Sequence, residues 1–321
     1  MVRLTAKETS AANDSLRIKT LPQKIVANKT LILMCLPAII FFLVFSYMPM
    51  PGAYVAFTRF DYGKGIFASQ FIGLRNFQFL FKSGQLALLL KNTVLYNLAF
   101  IILGNMLQLT FAVMLNEVQS RRYKKTTQSM MFLPYFISPV LVSLIVYNMI
   151  NYDFGFLSSL IRASGGVMPK LYSTASAWPF IIILVHLWQS TGYGTVIYFA
   201  AITSIDESLF EAAKVDGANG FQRIRYITLP SLRPTVVILF LFAIGSILRG
   251  NFGLFYNLVG NNSVLFPTTD IIETYVYRAM MNSFNFSQSS AVGLFQSVVG
   301  FSIVLISNYI VRRIDAESSL F

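Results

Sequence analysis

The chain lacks most of what an enzyme or a soluble domain is built from. Its 321 residues include one cysteine, one histidine and two tryptophans. Cys35 therefore has no partner for an intramolecular disulfide, and Cys35 and His186 stand too far apart in sequence to suggest a catalytic pair. No cluster of metal-ligand type and no nucleophile constellation is visible, so no catalytic and no metal residue is assigned. Charged residues make up only 12% of the chain, about half the usual share in soluble domains. Acids are the scarcer sign, with 13 Asp and Glu against 25 Lys and Arg. The apolar runs contain essentially no acids, whereas proton-driven carriers usually keep them there. No G-x-x-x-x-G-K-[ST] occurs, so the chain has no P-loop and is not expected to bind ATP itself.

Hydrophobic residues make up 55% of the chain, which points to an all-α membrane protein with several spans. Six are expected: about Thr30 to Tyr47, Leu86 to Leu115, Met130 to Ile150, Ala175 to Ile202, Pro234 to Tyr256 and Val292 to Val311. Pro134 and Pro139 should kink or break the start of the third. The net charge of +12 does not mark a nucleic-acid binder, because the basic residues are spread between apolar runs. With both termini in the cytoplasm, the cytoplasmic segments hold 6, 4, 4 and 2 basic residues, sixteen of the 25, as the positive-inside rule requires. No cleavable signal peptide is apparent, since residues 1–29 are polar and read as a cytoplasmic tail. The permease domain is set at 30–313, and a second short tail at 314–321. No internal repeat is visible.

One stretch resists the bilayer. Eight charged residues fall between Thr203 and Pro234, each costing about 2.5 to 3.5 kcal/mol at the centre of a membrane helix. Glu211 to Val215 favour a helix, Gly217 suits its left-handed end, and a second short helix is expected from Phe221 to Tyr226, stopped by Pro230. The segment 203–233 reads as a cytoplasmic docking surface.

Substrate-path candidates flank it. On the fourth span His186, Gln189, Ser190 and Tyr193 are spaced to share one helical face, while Trp188 lies off that face and suits a lipid interface. On the fifth, Ser246, Arg249 and Asn251 accompany Gly245, Gly250 and Gly253. If that span is one helix, Arg249 lies about 22 Å beyond Pro234. A membrane arginine is functional by default, and Arg249 suits a ligand that carries a carboxylate. On the second span Asn97, Gly104 and Gln108 share a face expected to pack on a sister subunit. Asp270 and Glu273 have capping-box spacing, followed by Ile271, Tyr275 and Arg278 at helical intervals. These features suggest a short helix lying flat at the outer surface.

Residues Glu211-Ala212-Ala213, Asp216-Gly217-Ala218, Ile227, Leu229-Pro230 and Pro234 resemble the EAA loop of bacterial ABC importer permeases. Phe71 to Phe77 (FIGLRNF) is similar to a segment of the carbohydrate, maltose-type branch. Leu133 to Ser138 (LPYFIS) and Asp270 to Arg278 (DIIETYVYR) are similar to importers of oligosaccharides from polysaccharide breakdown. The resemblance covers nearly everything after the N-terminal tail. It implies a type I ABC importer permease fold in the bacterial cytoplasmic membrane, and a transport subunit rather than a hydrolase. It also implies a second, homologous permease as heterodimer partner, two copies of an ATPase subunit carrying ATP and Mg, and an extracytoplasmic solute-binding protein. In that reading Glu211 makes a charged contact to the ATPase, Ala212 and Ala213 allow close approach, and Gly217 turns the chain. Leu229-Pro230 fixes the loop against the membrane helices, and Tyr193 falls on a sugar-contacting tyrosine. Two other readings are an ion-coupled secondary carrier and a non-transporting sensor or scaffold. The first predicts intramembrane acids and an inverted repeat.

Overall fold

A computed structural model describes residues 28–314; the expected tails at 1–29 and 314–321 lie almost wholly outside the described residues. Two compact units result, residues 1–54 and 55–321. In the first, α1 (Lys29–Phe42) contains Pro37, runs into a π-helical turn at Leu43–Tyr47, and buries no residue. A helix apolar on every side and uncovered by protein suits a lipid environment.

The second unit begins with a two-stranded antiparallel ribbon, β1 (Thr58–Arg59) and β2 (Gln70–Phe71), with Thr58 opposite Phe71. Gly73 follows at φ +62, and α2 (Arg75–Lys82) places Asn76 to donate to the Ala56 and Thr58 carbonyls at 2.8 and 3.0 Å. Then come α3 (Gln85–Glu117), α4 (Arg121–Phe132), a 3-10 turn at Leu133–Phe136, α5 (Pro139–Ile150), α6 (Phe156–Ala163) and α7 (Trp178–Thr203). After α7 come α8 (Glu207–Val215) and α9 (Gly220–Arg223), then α10 (Arg233–Gly245) and α11 (Phe252–Val259). The described chain ends with α12 (Ile272–Met281) and α13 (Phe286–Ile314).

Four helical stretches are long and apolar enough to cross a membrane unbroken, near residues 29–57, 85–117, 175–203 and 286–313. Two bent pairs bring the number to as many as six: Arg121–Phe136 with Pro139–Ile150 at 96°, and Gly220–Ser231 with Arg233–Gly245 at 55°. The first bend lies where Pro134 and Pro139 placed it. Ser138 caps α5 by accepting from the Leu141 amide at 3.4 Å.

The fifth stretch corrects the sequence reading. It is not one helix to Tyr256: α10 ends at Gly245, a turn follows, and α11 starts at Phe252. The helical rise assigned to Arg249 therefore does not apply. Nor does Pro230 stop the preceding helix. A π-helical turn at Ile224–Thr228 leads into helical residues Leu229–Ser231, and the break comes at Leu232. The wider turn relieves the clash a proline ring makes with the carbonyl four residues back.

The unit is held by α3 lying along α7. Gly194 allows this closeness, since a Cβ there would meet the Gln108 amide, and Gly192 does the same for α4, since a Cβ there would meet the Met131 carbonyl. Gly104 sits against Leu187, and the Tyr198 hydroxyl bonds Asn105 Oδ1 at 2.7 Å. The face expected to meet a sister subunit is thus used within the chain. Trp178, Ile182, Val142, Leu254 and Phe255 fill the largest core cluster.

Candidate functional site

The charged segment 203–233 folds from local rules. Asp206 caps α8 by accepting from the Ser208 amide at 2.9 Å, which holds its carboxyl below the ordinary value of 3.8. Gly217 at φ +78 ends the helix; its amide bonds Lys214 O at 3.1 Å and the Ala218 amide bonds Ala213 O at 2.8 Å. That pair of bonds is the Schellman arrangement, for which glycine is favoured. Asn219 and Gln222 then form a reciprocal capping box at 2.9 and 2.8 Å. The result is a short projecting hairpin with Glu211, Ala212 and Asp216 exposed, Ala213 and Ala218 half-buried, and Leu209, Val215, Phe221 and Tyr226 presented as bare apolar side chains.

Its attachment to the bundle differs from expectation. Leu229 and Pro230 are exposed. The residues that bury are Thr228 and Leu232, the latter packed with Ala112, Tyr198 and Ile202. Arg223, which sequence reasoning missed, faces Glu117 at the end of α3 at 3.9 Å.

On α7 the four polar residues have separate surroundings. His186 stacks on Phe100 with ring centroids 3.7 Å apart, which makes it a packing residue toward α3. Gln189 donates to the Ile137 carbonyl at 2.8 Å, satisfying backbone freed by the break between α4 and α5. Ser190 returns its hydroxyl to His186 O at 2.8 Å. Tyr193 is 45% exposed and stacks on Tyr135 at 4.7 Å and 13°, with Phe132 beyond at 6.1 Å. Tyr135 and Phe136 are exposed too. The three aromatic residues of the Phe132–Phe136 run and Tyr193 form a partly exposed aromatic shelf, able to cover the apolar faces of sugar rings. Tyr135 and Phe136 entered the sequence reading only within the LPYFIS segment and Phe132 not at all, although aromatic residues beside two helix-breaking prolines were the available signal. Trp188 is half-exposed and lines an apolar cavity of ≈ 850 Å³ with Leu107, Phe111, Met130 and Leu184. No hydrogen bond, ion pair or ring contact joins the Tyr193 shelf to Arg249 among the described residues.

The turn after α10 is held by side chains from three helices. Asn97 of α3 donates to Ile247 O at 2.8 Å and Arg249 O at 3.3 Å. Gln296 of α13 donates to Leu248 O at 2.5 Å. Glu273 of α12 accepts from the Gly250 amide at 2.7 Å. Arg249 projects outward, while Asn251 caps α11 by accepting from the Leu254 amide at 3.1 Å. Ser246 turns its hydroxyl back to Ala243 O at 3.0 Å.

The expected Asp270–Glu273 capping box does not form. Asp270 is buried and pairs with Arg278 at 2.5 Å, and accepts from the Thr274 hydroxyl at 2.7 Å. The Asn92 amide reaches Asp270 O at 3.0 Å, and Tyr96 donates to Thr268 O at 2.8 Å. Helix α12 is docked into the unit by these bonds, not laid loosely on a surface.

Comparison with known proteins agrees with this architecture. Residues 108–316 match the family described as "binding-protein-dependent transport system inner membrane component". The chain is 33% identical over 290 residues to Protein LplB of Bacillus subtilis strain 168, covering 90% of this chain and 91% of that one. It is 34% identical over 299 residues to the polygalacturonan/rhamnogalacturonan transport system permease protein YteP of the same organism, covering 93% and 92%. Among solved structures, a chain from a bacterial ABC transporter involved in import of the acidic polysaccharide alginate superposes with a TM-score of 0.84 at 33% identity, over 92% of this chain and 100% of that one. A chain from the alginate transporter in complex with a pentasaccharide-bound periplasmic protein gives 0.83 at 32% identity. The chain belongs to the family of binding-protein-dependent transport system inner membrane components, and it is a multi-pass permease of the cytoplasmic membrane.

Proposed function

We propose that this chain is the permease subunit of an ABC importer that carries acidic oligosaccharides into the cell. Six spans, two of them bent, place both termini, residues 1–29 and 314–321, in the cytoplasm. The permease domain covers 30–313. The hairpin of α8 and α9 seats in an ATPase subunit, with Glu211 making the charged contact and Ala212, Ala213 and Ala218 the close approach. Asp216 and Gly217 shape its turn. Two ATPase copies, which carry the ATP and Mg, a distinct sister permease and an extracytoplasmic binding protein complete the transporter. This chain needs no cofactor and catalyses no reaction. Movement of the hairpin rocks the helices and switches access to the path. The substrate passes the Tyr193 shelf, with Gln189 and Ser190 alongside, and the turn bearing Ser246, Arg249 and Asn251.

The observation that carries this reading is the match along 92% of the chain to a permease whose transporter imports an acidic polysaccharide. The exposed Arg249 is in keeping with it, because a guanidinium pairs bidentately with a carboxylate. The test is uptake by the assembled transporter in vesicles, driven by ATP and dependent on the binding protein. Arg249→Gln should lower uptake of a uronic-acid oligomer and spare a neutral hexose oligomer of equal length. Equal loss of both would sink the acidic preference.

A further inference from the structure

Glu273 is the acid that the sequence assigned to a helix cap, and the structure uses it differently. Its Oε1 accepts from the Gly250 amide at 2.7 Å and from Gln296 Nε2 at 2.7 Å. Its Oε2 is buried and meets no donor among the described residues. No ion pair includes it; the pairs found among the described residues are Lys64–Asp61, Arg223–Glu117 and Arg278–Asp270. Arg249 also lacks an ion-pair partner there. Glu273 thus reaches from α12 to hold the amide of the residue that follows Arg249.

The fit is close. A Cβ on Gly250 would stand 2.4 Å from Glu273 Oε2 and 2.6 Å from Ile271 Cδ1, so only glycine lets the carboxylate reach this peptide. The same carboxylate orients Gln296, whose amide then reaches Leu248 O. Glu273 therefore sets both peptides on either side of Arg249.

We propose that Glu273 is the positioning residue for Arg249: by gripping the 249–250 peptide it fixes where the one cation of this turn is presented to an acidic sugar. The inference rests on the reading of the chain as an importer of acidic oligosaccharides. Glu273 itself touches no substrate. It acts through Arg249, and a displacement of about 1 Å in such a group is enough to weaken binding strongly.

The test uses the assembled transporter in vesicles, with a uronic-acid oligomer and a neutral hexose oligomer of equal length as probes. Glu273→Ala should raise KM for the uronic-acid oligomer about tenfold, with kcat within about twofold and the neutral probe unchanged. Glu273→Asp keeps the charge but withdraws the oxygen by one methylene, so it should give the same rise and serves if the alanine variant fails to assemble. Glu273→Gln retains an acceptor for the Gly250 amide and should restore near-normal KM. In an Arg249→Gln background the Glu273→Asp effect should vanish. A rise of equal size in that background, or a rise shared by the neutral probe, overturns the proposal while leaving the importer reading intact. Absence of ATP-driven uptake of either probe by the unaltered transporter overturns both.

Discussion

The hairpin of α8 and α9 and the turn after α10 are both departures from helix between apolar stretches, yet they are secured in opposite ways. From Asp206 to Gln222 the securing bonds span two to five residues: Asp206 to Ser208, Ala218 to Ala213, Asn219 to Gln222. At 247–250 the partners lie between 23 and 152 residues away, on α3, α12 and α13. The hairpin is a self-contained unit that can move as a rigid body with whatever grips it. The turn is defined only while three helices keep their places, and in hydrocarbon its open carbonyls cost several kcal/mol each if those partners leave. A device that transmits force is best built the first way, and one that presents a side chain at a fixed place the second.

Four substitutions probe that contrast, in decreasing order of expected effect. Gly250→Ala forces a methyl against Glu273 and Ile271 and should destabilise the protein by about 3 kcal/mol, read as a lowered melting temperature of the detergent-purified complex. Asn97→Ala strips the donor from Ile247 O and Arg249 O and should cost about 2 kcal/mol by the same measurement. Gly217→Ala has open space around its new Cβ and pays only for the left-handed backbone, about 1 kcal/mol. It should leave assembly intact but loosen the link between ATP hydrolysis and uptake, measured as more ATP spent per sugar imported. If Gly217→Ala proves more damaging to folding than Gly250→Ala, the contrast between local and long-range securing is wrong.

The smallest effect is one of pH. Asp206 is fully exposed, and the Ser208 amide lowers its folded pKa below 3.8. A group depressed on folding contributes stability above its unfolded value and loses it as pH falls through the folded one. Protection of the Ser208 amide against exchange, relative to its intrinsic rate at each pH, should therefore fall below about pH 4, and Asp206→Asn should remove that dependence.

The hairpin was legible in the sequence because each of its bonds joins near neighbours. Gly217 announces its role by residue type alone; Asp206 and Asn219 are of cap-forming type too, but the sequence reading did not assign them as caps. The break at Pro134 and Pro139 was legible for the same reason. Trp178 and Phe255 could be placed in no particular core, and Tyr135 could not be seen to stack on Tyr193, because those pairings depend on how α4, α7 and α11 cross. The fifth span misled because Gly245, Ser246 and Gly250 look like a packing stripe within a helix. Their true meaning, a turn, depends on donors supplied from Asn97 and Gln296.

Composition alone determined that this chain lives in a membrane, since apolar runs need no fold to be counted. The charged stretch at 203–233 likewise stands apart from the apolar runs by residue type, whatever the packing. Only the tertiary structure decided that His186 packs on Phe100, that Asp270 pairs with Arg278 and that Glu273 grips the peptide beside Arg249. The reason is physical: the free energy of a buried polar group depends on the partner it meets, and that partner is chosen by the crossing of helices and not by neighbours in the chain.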